Sequence, residues 1–160
     1  MPHRAPFDVE LARQLIDRKR STPGAALPIL HDLMLEFGYI DDDAIALLAD
    51  ALNISRAEAL GVVSFYHDFR RSPVEGRLLK LCRAESCQAM GCEDLVAHLV
   101  GRHGIVADDP ETGAGLHVET VYCLGNCALS PAGLLDGELI GRLDRDRLDA
   151  IVAGAKHQTQ

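Results

Sequence analysis

Between residues 7 and 70, apolar side chains recur three and four positions apart, the period of a helix with one buried face. Val9, Ala12, Leu15 and Ile16 would share a face of a helix over residues 9–20, which the "STPG" of residues 21–24 breaks. Leu30, Leu33, Met34 and Phe37 then fall at i, i+3, i+4 and i+7, with Gly38 placed as a C-cap. Asp41, Asp42 and Asp43 offer a cap and first-turn carboxylates to a third helix carrying Ile45, Leu48 and Leu52. Ser55 and Glu58 form an S-x-x-E capping box that opens a fourth helix through "AEALGVVSFYHDF" at residues 57–69. The pattern predicts a small helical bundle whose apolar stripes are core.

Past "RRSPVEG", residues 70–76, the period changes. "GRLLKLC" predicts a short strand ending at Cys82, and "EDLVAHLVGRHG" a helix with Leu95, Leu99 and Val100 inward. "GLHVETVYC" alternates as a strand running up to Cys123. "GLLDGELIG" predicts a hairpin, because Asp136-Gly137 is the pair that a type I′ turn accepts. "DRDRLDAIVAGAK" predicts a closing helix with Asp144 as N-cap and Leu148, Ile151 and Val152 buried. The fold class expected is therefore α+β. A helical N-terminal domain, residues 1–75, precedes a domain of order β-α-β-β-β-α with a mixed four-stranded sheet, residues 76–160.

Composition narrows the function. The chain has 160 residues, 48% of them apolar, and a formal charge of −8. It can bury a core, and its acidity argues against a nucleic-acid surface, which is normally basic. No secretory h-region opens the sequence and no apolar run has the length of a membrane span, so the expected compartment is the cytoplasm. There, clustered cysteines more often bind metal than form disulfides.

The cysteines number five: Cys82, Cys87, Cys92, Cys123 and Cys127. A strand–helix–strand crossover makes parallel strands, and parallel strands end at the same sheet edge. Cys82 and Cys87 follow the first strand; Cys123 and Cys127 follow the second. The topology thus brings C-x4-C and C-x3-C to one edge. Cys87 sits just before or at a helix start, where free N–H groups stabilise a thiolate. Cys92 lies five residues on, well round an ideal helix from Cys87, and reads as a small buried hydrophobe.

Three uses of four thiolates compete. A structural zinc would take them as a tetrahedron, giving a zinc-stapled interaction module. Disulfides fit poorly with the odd count and the compartment, and a C-x-x-C is absent. A [2Fe–2S] cluster wants two pairs, one per iron, and each loop supplies a pair. With four thiolates such a cluster carries a net charge of about −2, falling to about −3 on reduction. That charge favours a low potential, which backbone N–H groups raise.

"CRAESC" and "CLGNC" followed by "ALSPA", together with "LPILHDLMLEFGYI" and "ALNISRAEALGVVSFYHDF" in that order, resemble the thioredoxin-like [2Fe–2S] ferredoxin family. The family includes the small iron–sulfur subunits of NADH:quinone oxidoreductase and of NAD-reducing hydrogenases, and the gamma subunit of NAD-dependent formate dehydrogenases. "CRAESCQAMGC", "CLGNCALSPAG" and "FYHDFR" are most similar to the formate dehydrogenase gamma branch. The resemblance implies a thioredoxin-like second domain and one [2Fe–2S] cluster on Cys82, Cys87, Cys123 and Cys127, with Cys92 outside the ligand set. It implies an electron-transfer subunit without substrate chemistry of its own. Its partners would be a flavin-bearing, NADH-binding subunit and a larger catalytic subunit; FMN, NAD and a molybdenum or tungsten cofactor would belong to those partners. Pro131 resembles the proline that precedes a strand in thioredoxin-like folds.

The remaining residues carry weaker signals. His3, His31, His67, His98, His103, His117 and His157 form no H-x-x-x-H pattern and read as structural or solvated, although His98 and His117 could tune a cluster from outside its ligand set. Phe65, Tyr66 and Phe69 read as a joint or as a docking surface. Arg83 could offset cluster charge, and Gly125 would relieve crowding in the second loop. No G-x-G-x-x-G or Walker A motif occurs, so nothing here predicts flavin, nicotinamide or formate binding by this chain alone.

Overall fold

The computed structural model describes residues 6–74, 76–109, 111–112 and 115–156; His3 and His157 lie outside them. Two compact units are present, one running to Pro73 and one beginning at Val74.

The first unit contains α1 (Val9–Lys19), α2 (Ala26–Phe37), α3 (Asp42–Leu52) and α4 (Arg56–Phe65). Each helix starts or stops where local chemistry dictates. The Asp8 carboxylate accepts from the N–H groups of Glu10 and Leu11 to start α1, and Asp41 accepts from Asp43 N–H to start α3. Gly38 ends α2 in the left-handed conformation, φ 81°. The Ser55–Glu58 box is formed reciprocally. Each cap is worth about 1 kcal/mol, whereas each large side chain buried outright is worth about 1.5–3 kcal/mol. Ile16, Ile29, Leu30, Leu33, Phe37, Ile45 and Leu48 are so buried, so packing rather than capping holds the bundle. Two expectations fail. Val9 is 43% exposed. Helix α4 ends at Phe65 instead of 69: Tyr66 is extended, and Phe69 turns back into the core beside the His31 and Tyr66 rings.

The second unit is a four-stranded sheet, β1 (Arg77–Cys82), β2 (Leu116–Val121), β3 (Gly133–Leu135) and β4 (Glu138–Ile140), in the order β2-β1-β3-β4. β1 and β2 are parallel with Cys82 level with Val121; β3 is antiparallel to both β1 and β4. The β3–β4 turn has φ of 51° at Asp136 and 91° at Gly137, the two left-handed residues that a type I′ turn requires. Leu79, Leu81, Leu116 and Val118 form one core with Leu95 and Leu99 from the crossover and with Leu148, Val152 and Ala155 of the closing helix, Arg145–Lys156. Asp144 caps that helix by accepting from Arg147 N–H. Ile151 is only half-buried, where the pattern predicts full burial.

The crossover departs most from the periodicity. The helix expected over residues 93–104 is α6 (Cys92–His98) followed by a π-helical turn, Leu99–His103, that closes at left-handed Gly104, and a further short helix, α5 (Glu85–Ala89), precedes it. The closing helix is accordingly α7. Gly91, φ 89°, separates α5 from α6. Leu95 and Leu99, four residues apart on one face, stay buried, while Val100, expected inside, is 46% exposed: five residues from Leu95, it lies roughly 140° round the axis from it.

Candidate metal-cluster site

Four cysteines meet at the carboxyl edge of β1 and β2. Cys82 is the last residue of β1 and is 3% exposed; its N–H bonds the Ala132 carbonyl. Cys87 is buried in the first turn of α5. Cys123 and Cys127 flank a loop beyond β2 and are exposed, their sulfurs 3.9 Å apart. Their loop is held by two left-handed residues, Cys123 with φ 72° and Gly125 with φ 77°. A Cβ at Gly125 would meet nothing within 4 Å, so this glycine serves the backbone angle and not the crowding expected for it.

The electrostatics agree that the two loops share one space. Burial opposes ionisation of Cys82. The N–H of Ala84, the Cys87 thiol and the N–H groups of Cys123 and Leu124 outweigh it, and the thiol is held below its ordinary value. Cys127 is pushed up, first by its contact with Cys123 and by that thiolate's charge, then by burial and by Cys87 and Cys82. Four thiolates packed together repel one another, and bound cations relieve that repulsion.

Cys92 sits beneath this group, 0% exposed, in a small core with Cys82, Cys87 and Ala132. Its thiol is pushed up to about 11, chiefly by burial and then by the Glu93 and Cys87 charges. The rotation argument for setting it aside does not survive, because Gly91 interrupts the helix between Cys87 and Cys92. Cys92 shares its buried cluster with Cys82 and Cys87, and what sets it apart is a thiol pushed up where that of Cys82 is held down.

The structure also recruits residues that spacing rules pass over. Ser130, 8% exposed, stands 2.9 Å from Ser86 Oγ and donates to the Cys127 carbonyl at 2.9 Å; the Cys87 thiol approaches its oxygen at 3.5 Å. Ser86 also donates to the Cys127 carbonyl, at 3.2 Å. The hydroxyls thus tie α5 to the 3-10 turn Cys127–Leu129. Ser130 lies in the "ALSPA" that follows Cys127 and Ser86 in "CRAESC". The Ser130–Pro131 peptide after this turn is cis. Arg83 turns to Glu93, which it grips through two nitrogens at 2.9 and 2.7 Å, so its charge is neutralised locally. His117 lies 3.6 Å from Glu119.

The donor set fits a thiolate-bound cluster. Two thiolates sharing a tetrahedral ion at about 2.3 Å each lie about 3.8 Å apart, close to the 3.9 Å between Cys123 and Cys127. Cys82 and Cys87 lie together in one small buried cluster as the second pair.

A mixed sheet of this order, packed against helices and carrying thiols at its carboxyl edge, is the thioredoxin-like architecture. The chain belongs to the thioredoxin-like [2Fe–2S] ferredoxin family, whose sequence profile matches residues 12–156. It is 29% identical over 145 residues to an NADH-quinone oxidoreductase subunit of Rhizobium meliloti (strain 1021), covering 91% of this chain and 84% of that protein. It is 25% identical over 156 residues to the NADP-reducing hydrogenase subunit HndA of Solidesulfovibrio fructosivorans, covering 96% and 91%. The crystal structure of an NAD+-reducing [NiFe]-hydrogenase in its H2-reduced state superimposes with a TM-score of 0.72 at 28% identity over 87% of this chain. The matched region is 23% of that hydrogenase chain.

Proposed function

We propose that this chain is a one-electron carrier in which Cys82, Cys87, Cys123 and Cys127 hold a single [2Fe–2S] cluster and Cys92 does not. The observation that carries the reading is the meeting of both cysteine pairs at one sheet edge. The cluster, when bound, supplies reversible uptake of one electron. The protein's part is to hold and tune it. Cys82 and Cys87 form a dry inner pair, with the backbone N–H groups of Ala84, Cys123 and Leu124 favouring the Cys82 thiolate and Ser130 3.5 Å from the Cys87 sulfur. Cys123 and Cys127 form an outer pair facing solvent, flanked by exposed Tyr122 and Leu129. A redox partner at this edge would meet the outer pair first.

On the same reading, the chain serves an NAD-dependent formate dehydrogenase, beside a flavin-bearing, NADH-binding subunit that exchanges electrons with it. A larger molybdenum- or tungsten-containing subunit would oxidise formate. The support is the wording of "CRAESCQAMGC", "CLGNCALSPAG" and "FYHDFR". The relatives favour a second reading, the equivalent subunit of an NADH:quinone oxidoreductase or NAD-reducing hydrogenase. None of the helices is long and apolar enough to cross a membrane among the described residues, which is compatible with the cytoplasmic placement we propose.

Anaerobically purified chain should be reddish-brown, carry two irons, and give an EPR signal on reduction. Colourless protein with stoichiometric zinc on its cysteines would instead identify a zinc-stapled module. Affinity purification from the native host decides the parent complex. Recovery of a formate-oxidising subunit supports the formate dehydrogenase branch. Recovery of hydrogenase or membrane subunits removes that branch and leaves the cluster assignment standing.

A further inference from the structure

Away from the cysteine edge, His98, His103 and Asp149 come together from three elements. His98 ends α6, His103 ends the π turn, and Asp149 lies on α7. Both imidazole Nε2 atoms point at the same Asp149 oxygen, Oδ1, at 2.7 and 2.6 Å. The rings are 5.7 Å apart between centroids, and the donor atoms of the three side chains all lie within 4.8 Å of one another. All three are partly buried; the imidazoles are 15% and 13% exposed.

The backbone makes this arrangement possible. Five residues along an α-helix turn a side chain by roughly 500°, which leaves it on another face. In a π turn, hydrogen bonds span five residues, and side chains five apart stack. The Gly104 N–H reaches the carbonyl of Leu99, five residues back. The π turn therefore converts H-x4-H into a facing pair. Such turns are rare and concentrate at functional sites.

We propose that His98, His103 and Asp149 form a binding site for a divalent transition metal ion of the zinc type. The donor set suits it: two imidazoles and one carboxylate oxygen leave a fourth tetrahedral position for water. Arg102 Nε holds the other carboxylate oxygen, Oδ2, at 3.1 Å, so Oδ1 is the one presented to the imidazoles. The Asp149 carboxylate is thus held by His98 and His103 on one oxygen and by Arg102 on the other. An ion about 2.1 Å from each donor would spread the N···O separations to about 3.4 Å. That is a small retreat for a carboxylate that is 29% exposed. Binding would exchange the shared imidazole protons for the metal and pin the crossover to α7.

The test uses the full chain, loaded with iron under anaerobic conditions and dialysed against micromolar free zinc. Wild-type protein should take up one zinc beyond its iron, and X-ray absorption at the zinc edge should show nitrogen and oxygen neighbours with imidazole scattering. H103Q and D149N should each raise the zinc Kd at least tenfold while iron content and visible spectrum stay as in wild type. The proposal is overturned if wild-type protein takes up no zinc, if zinc shows only sulfur neighbours, or if both variants bind zinc as wild type does. The scattering measurement needs no variant and stands even if a substitution impairs folding.

Discussion

Gly141 is where one added methyl group should do the most harm to the cysteine edge. A Cβ there would stand 2.6 Å from Leu129 Cβ, 2.9 Å from the Leu129 carbonyl oxygen and 2.9 Å from Asn126 Nδ2. Only the Asn126 amide can swing away; the other two atoms are fixed to the 3-10 turn that contains Cys127. The same turn receives the Arg142 N–H on the Leu129 carbonyl at 2.6 Å, so it cannot retreat without breaking that bond. Overpacking of this kind costs about 1–3 kcal/mol. Glycine to alanine at an unhindered position would instead stabilise by about 0.4–1 kcal/mol through the unfolded chain, so the sign of the effect is diagnostic. G141A should lower the urea midpoint of the second unit and lose iron, because relief of the clash moves Cys127 away from Cys123. Unfolding followed by circular dichroism, with iron content and cluster absorbance measured alongside, reads both effects. A G141A protein at least as stable as wild type and fully loaded would refute the close approach.

Three further outcomes are expected. S130A removes the hydroxyl shared by Ser86, Cys87 and the Cys127 carbonyl; it should cost about 1 kcal/mol and lower the reduction potential, read by EPR-monitored titration, because Cys87 as a ligand thiolate has no proton to give and the hydroxyl 3.5 Å away is then the donor. C92S should keep the cluster spectrum while C87S loses or alters it; loss of the cluster in C92S would make Cys92 a ligand. Because Asp149 has a lowered pKa, its contribution to stability is complete above the unfolded carboxylate value near pH 4 and disappears as pH falls to about 2. Wild type and D149N should therefore differ in unfolding free energy at neutral pH and converge towards pH 2, and parallel curves would show that the contact contributes nothing.

What the sequence made legible was local chemistry with a fixed spacing. The Ser55–Glu58 box, the Gly38 cap and the Asp136-Gly137 turn each depend on two or three neighbouring residues, and each stands where the spacing puts it. The meeting of the cysteine loops was legible because handedness and parallel pairing leave few alternatives. The crossover was not. Its apolar residues satisfy one α-helix as well as they satisfy a helix followed by a π turn, and nothing in "HLVGRH" marks where the phase slips. That slip hid the His98–His103 pair from a search at four-residue spacing. Ser86 and Ser130 were hidden for another reason: a hydroxyl shows its partner only after the two loops have been brought together.

The π turn amounts to one residue more than an α-helix needs between His98 and His103. A chain lacking Gly101 could close the same segment with ordinary α-helical bonds. The two histidines would then be four residues apart, about 400° around the axis, and would still share a face. Ordinary α-helical bonds at the present length would instead leave them roughly 500° apart, on different faces. The pair is thus set by the match between segment length and hydrogen-bond span: an H-x4-H spacing needs the π turn, and an H-x3-H spacing would not.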